Sequence, residues 1–286
     1  MIWAVLLLHC LLVSVVVPAL ALLTGSIESR IQGRPAPLMQ PWRDVARLWA
    51  KGAPVPQGAT ALFAVGPPAA VAAALLALML VPSFSLGNAA GAGADLILLF
   101  GMLAIPQGAL LLATLDGGAA PDLDQAGVVR LGAWPVYALV AMAALLLSGG
   151  TGLPAAAAAV RDGGGVARLA GAFAGAAVFA LTVSQPGLPT RGFAGRHLAL
   201  IHMAGWVHRT AVLSVVAAMS GPYGLVLPSS GADGWALAVV AWVVKLAALT
   251  ALAAVVGRHP ASPTLRPGAA ILAMTAVVLS GASGPA

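Results

Sequence analysis

Long apolar runs separated by short polar stretches cover the chain from end to end. Runs of about 20 residues, enough to cross a bilayer core, fall at roughly 2–24, 60–82, 94–115, 130–149, 166–184, 197–219, 234–256 and 267–284. Only helices and closed barrels satisfy their backbone in lipid. Runs of this length therefore predict an all-α integral membrane protein of about eight transmembrane helices, a single domain over 1–286. The fourth, fifth and eighth runs are rich in Ala and Gly, which suits close helix–helix contact. Leu153 to Val160 is too short to span and reads as part of a loop. No basic residue precedes the first run and no Ala-x-Ala-like site follows it, so 2–24 reads as a retained span and not a signal peptide.

The longest polar stretch, 25–57, reads as a loop with its own short helix. Pro41 to Lys51 has Pro where a first turn accepts it. At 100° per residue Trp42, Val45, Ala46 and Trp49 share one side, while Arg43, Arg47 and Lys51 recur on the other with Asp44 beside them. That pattern predicts an amphipathic helix lying in the interfacial layer.

Composition narrows the class. Of 286 residues, 60% are hydrophobic and 8% charged, whereas a soluble domain carries about 25% charged residues. The net charge of +6 does not imply nucleic acid, because the basic residues follow the loops. Ten of the 14 Lys and Arg fall in alternate loops, five of them in the first. Basic loops face the cytoplasm, which places both termini on the other side of a bacterial-type inner membrane. Cys10 is the sole cysteine, which excludes an internal disulfide or a cysteine-only metal site. No catalytic or metal-binding motif appears. Asp116, Asp122 and Asp124 form a loosely acidic loop expected to be solvated or partner-facing.

The first loop also carries a family resemblance. Arg30-Ile31-Gln32-Gly33-Arg34-Pro35-Ala36-Pro37, Leu38-Met39-Gln40-Pro41-Trp42-Arg43-Asp44, Arg47-Leu48 and Lys51 resemble the Arg-x-Gln-x-Arg-x-Gly-Pro, Leu-Gln-Pro-x-x-Asp, Lys-Leu-x-x-Lys-Glu pattern. That pattern belongs to the membrane subunit shared by respiratory complex I (its subunit 1) and group 4 membrane-bound hydrogenases (formate hydrogenlyase subunit 4). Leu115-Asp116-Gly117-Gly118 resembles the family's Leu-Asp-x-Gly, and Trp242 to Leu246 resembles its lysine-bearing seventh span. The resemblance implies a coupling subunit without catalytic residues of its own. Hydrophilic redox subunits would dock on Arg30, Gln32, Arg34, Pro37, Gln40, Asp44, Arg47 and Lys51, and antiporter-like subunits would sit beside it. Iron–sulfur clusters, with quinone or a nickel–iron site, would belong to the partners and not to this chain.

The acids of that family are largely missing. Glu28 is the only glutamate, Trp134-Pro135 replaces a Glu-Pro, and Arg196 to His202 has Ala199 in a glutamate position. The ionisable groups left within apolar runs are the candidate ion path: Lys245, His197, His202, His208 and Arg209. An ammonium at a bilayer centre costs about 2.5–3.5 kcal/mol on insertion scales, so Lys245 needs a partner, and Asp95 is the candidate. His197 and His208 lie within about 20° on one helix face but about 16 Å apart, too far to share a metal. A non-pumping scaffold and a stand-alone transporter are the alternatives. The latter expects an inverted repeat, and none is evident.

Overall fold

A computed structural model of the chain describes residues 2–33, 37–86, 94–118, 133–185, 187–227, 230–258 and 265–283. The described residues form ten helices and two isolated β-bridges, with no sheet. They are α1 (Ile2–Ile31), α2 (Gln40–Trp49), α3 (Ala61–Leu80), α4 (Leu96–Asp116), α5 (Trp134–Ser148), α6 (Leu153–Asp162), α7 (Gly165–Ser184), α8 (Gly195–Ser220), α9 (Ala232–Val256) and α10 (Leu265–Ser283). Seven are long and apolar enough to span, and α5 is a shorter apolar helix of 15 residues, which agrees with about eight spans.

Two elements differ from the sequence reading. The first helix runs on to Ile31, so Glu28 and Arg30 are helical and not part of a loop. Leu153 to Val160 belongs to a helix, α6, whose Leu153, Ala156, Ala157 and Val160 are buried. Pro154 in its first turn and an apolar side turned to the bundle let so short a segment hold helix.

Helix α8 is the hub, packing against α3, α7, α2, α9 and α1. Small side chains set the spacing. On α7, a Cβ at Gly171 would stand 2.6 Å from the Met219 carbonyl oxygen, so glycine permits the α7–α8 approach. The α7–α10 contact is built on Ala and Gly in the same way, with Ala269, Ala273 and Ala276 fully buried.

Helix ends are closed by charged side chains from elsewhere in the fold. Asp116, at the end of α4, accepts from Thr60 N (2.8 Å), Thr60 Oγ1 (2.9 Å) and Phe63 N (3.0 Å), which caps α3. Arg266 donates to the Ser184 carbonyl at the end of α7 (2.8 Å).

Candidate functional site

The seat of α2 creates the site. Gly195 opens α8 with φ +54°, and a Cβ there would lie 1.8 Å from the Gly52 carbonyl oxygen, so only glycine fits. Arg196 N donates to Gly52 O (3.3 Å) and Arg196 Nε to Trp49 O (3.2 Å), which closes the C-terminus of α2 with a cation. Trp42 meets Trp206 of α8 at 5.3 Å between rings. Val45 is buried, while Ala46 and Trp49, placed on the apolar side from sequence, are exposed. Thus part of the apolar side of α2, Trp42 with Val45, faces α1 and α8 of the bundle.

This seating divides the first-loop residues in two. Gln40 Nε2 donates to Asp44 Oδ1 (2.8 Å), and both line an internal cavity with Pro37. Arg30, Arg43, Arg47 and Lys51 are exposed, and Arg47 stays 3.6 Å from Asp44. Arg34, like Asp122, Asp124 and Arg130, lies outside the described residues.

Behind α2 the ends of α1 and α9 and the middle of α8 meet around one carboxylate. Glu28 of α1 accepts from Arg258, after α9, at 2.9 Å, and lies 4.0 Å from Arg209 of α8. Gln32, with its amide turned so that Oε1 faces the guanidinium, accepts from Arg258 at 3.1 and 3.2 Å. Arg258 stands 230 residues from Glu28, and sequence reasoning passed it over. Its only sequence signal was a basic residue just past the end of a span.

The cluster lies between cavities that share walls. One of about 310 Å³ is bounded by α1, α2 and α8, with Glu28, Gln40, Asp44, His202 and Arg209 among its polar groups. A second, of about 500 Å³, shares Glu28, His202 and Arg209 and adds Arg258, His208 and Gln185. A third, of about 290 Å³, shares Gln107, Tyr137, Gln185 and His208 and reaches the α4–α5 gap. His208 Nε2 pairs with the Leu103 carbonyl oxygen at 3.0 Å. His197 stands apart, buried edge-on to Phe63 at 5.5 Å. The candidate path residues therefore divide: His202, His208 and Arg209 share one chain of cavities, and His197 and Lys245 do not line it.

Lys245 has a different setting. Its Nζ donates to the carbonyl oxygens of Gly221 and Tyr223, where α8 ends. Asp95, the expected acidic partner, instead accepts from Ile97 N (2.6 Å) and Leu98 N (3.3 Å) at the start of α4 and from Thr151 Oγ1. The Thr151 hydroxyl holds its carboxyl below the usual carboxylate range. A helix C-terminus, with its orphan carbonyls and partial negative charge, solvates a cation without a carboxylate. Among the described residues no three His, Cys, Asp or Glu side chains gather to hold a metal.

Residues 2–120, covering α1 to α4 and the first loop, match the family model described as NADH dehydrogenase. No curated protein matches the chain. Among solved structures, the fold is similar to a chain in the membrane-bound sulfane sulfur reductase, an archaeal respiratory membrane complex. The TM-score is 0.73 at 18% identity, over 96% of this chain and 99% of that one. The chain is thus a multi-helix membrane protein whose residues 2–120 are similar to the NADH dehydrogenase family model, and whose fold is shared over nearly its whole length with a chain of that respiratory membrane complex.

Proposed function

We propose that the subunit anchors the hydrophilic redox arm of a complex I-like oxidoreductase, using the face that carries α2. The observation that carries this is the seating of α2. Trp42, Val45 and Asp44 are committed to the bundle and the cavity wall, and Arg43, Arg47 and Lys51 are exposed. A charged outer face of that kind favours electrostatic docking of a partner. The basic first loop argues that this face is cytoplasmic and that both termini lie across a bacterial-type inner membrane. Antiporter-like subunits would pack laterally, and the iron–sulfur clusters, with quinone or nickel–iron, would reside in the partners.

Ion movement, in this reading, follows the chain of cavities, with His202, Glu28 and His208 as the exchanging groups and Arg209 and Arg258 setting their field. Lys245 stands off that route as the cation that closes α8. The geometry favours this over a stand-alone transporter, since the large cavities with charged linings cluster at the end of the bundle that carries α2.

The test is affinity isolation of the tagged chain from its native membrane. Soluble iron–sulfur subunits and antiporter-like membrane subunits should co-purify. Reversing charge at Arg43, Arg47 and Lys51 together should release the soluble set and retain the membrane set. Recovery of the chain alone, or of both sets unchanged after charge reversal, would remove the docking role. Flux by the isolated chain in liposomes would instead establish the transporter.

A further inference from the structure

We infer that, given the docking proposed above, the largest cavity receives a carboxylate side chain from an acidic segment of the docked partner. The cavity of about 500 Å³ is walled by α4, α5, α7, α8, the segment after α7, and the ends of α1 and α9. Its charged lining groups are two guanidiniums, Arg209 and Arg258, and one carboxylate, Glu28. Glu28 spends one oxygen on Arg258 at 2.9 Å and leaves Arg209 at 4.0 Å, the outer limit of an ion pair. Each guanidinium carries five N–H donors and no acceptor.

Other donors add to the imbalance. Gln185 Nε2 is buried beside the Tyr137 side chain without a hydrogen-bond partner. Thr190, His202 and His208 also face the space. Asp44 belongs to the neighbouring cavity and is held there by Gln40. The excess cation is only partly exposed, with about a third of the Arg209 side chain open, so it remains available to an incoming anion. A carboxylate supplies about four lone-pair sites and the missing charge.

Charge and size identify the source. Residues 185–200 contain no acid. Arg191 follows Thr190 of the wall, Arg30 lies two residues from Glu28, and both are exposed. The volume exceeds what one small anion needs and lies within the range of about 300–1,000 Å³ that holds larger ligands. An acidic side chain on an inserted peptide segment meets both conditions.

The experiment places a photo-crosslinking phenylalanine analogue at Thr190 of the tagged full-length chain, illuminates native membranes and maps the crosslinked peptide. The expected product joins Thr190 to a hydrophilic partner segment containing Asp or Glu. Arg209→Gln with Arg258→Gln should lower its yield at least fivefold while the soluble subunits still co-purify through the α2 face. Replacing the captured acid by its amide in the partner should lower the yield equally, which keeps the test independent of how the double variant folds. Crosslinks only to lipid, or to a segment without an acid, in a complex that retains its soluble subunits would overturn the insertion and leave the docking intact. Absence of soluble subunits from the unsubstituted chain would remove the docking and the insertion together.

Discussion

Both ends of the bundle cap helices with charge, but the α2 end also gathers charges around open space. At the α2 end, Glu28, Arg209, Arg258 and Gln32 converge from three spans and stand among cavities of about 310 and 500 Å³. At the other end Lys245 closes α8, Asp95 opens α4 and Arg161 reaches the Leu225 carbonyl oxygen at 3.3 Å. The void beside Lys245 is only about 10 Å³, roughly one water. Charges that cap helices are spent on backbone groups and have no freedom to exchange. Charges that surround open space keep alternative partners. That difference separates a scaffold end from an end able to respond to a partner.

The largest effect expected from breaking this contrast is at Gly195. Gly195→Ala should cost on the order of 3–4 kcal/mol, because it adds a Cβ against Gly52 at positive φ. Loss of α2 seating should appear as a lower thermal midpoint in detergent and as loss of the soluble subunits. Near-normal stability would mean that α2 is not fixed in this way.

Next come the two ends compared directly. Glu28→Gln leaves two guanidiniums without a carboxylate and should cost about 2–3 kcal/mol, at the low end for a broken ion pair because the site is partly hydrated. Lys245→Met strands the carbonyls of Gly221 and Tyr223 and should cost about 1–3 kcal/mol. The readout that separates them is coupled ion transport per assembled complex. It should fall with Glu28→Gln and stay constant with Lys245→Met. Abolished transport in fully assembled Lys245→Met complexes would return Lys245 to the ion path.

Smaller effects test the helix caps, one at each end. Asp116→Asn weakens a charged cap that α3 receives from α4 and should cost about 1 kcal/mol, measured by denaturation in mixed micelles. Asp95 supplies the pH dependence. Its folded pKa lies below the unfolded value, so its contribution is present above about pH 4 and fades as pH falls through the folded pKa. Thr151→Val removes the main cause of the shift. The difference in thermal midpoint between it and the parent should therefore be visible at pH 7 and shrink at pH 3, staying below about 1 kcal/mol for so exposed a group. A gap independent of pH would show that Thr151 acts by packing alone.

Much of the fold was legible because lipid imposes one simple rule on sequence. Each span announces itself by length, and the match to the family covers the first loop, where Gln32, Gln40 and Asp44 stand in a recognisable order. The orientation of α2 was less legible. A helical wheel grouped Trp42, Val45, Ala46 and Trp49 on one apolar side, and within that side Trp206 and the Arg196 cap select Trp42 and Val45 for the bundle and leave Ala46 and Trp49 exposed. The wheel reads hydrophobicity, whereas the bundle offers one particular groove.

Lys245 shows the same division. Its position within a span was plain, and the need for a partner followed from its cost in lipid. The search was confined to carboxylates because sequence displays side chains and not free backbone ends. The carbonyls left where α8 stops become visible only once the course of Gly221 to Tyr223 is known.

The amino-acid sequence by itself determined that this protein lives in a membrane, about how many helices it has, and which charged residues are too few to be incidental. Hydrophobic length and polarity are local properties, and lipid reads them segment by segment. Only the tertiary structure decided which charges meet. The Glu28–Arg258 pair and the shared cavities bring together residues some 230 positions apart. Packing of α3, α7 and α9 around α8 sets that convergence, with Gly171 and Gly175 permitting the α7–α8 approach, through contacts that no single stretch of chain contains.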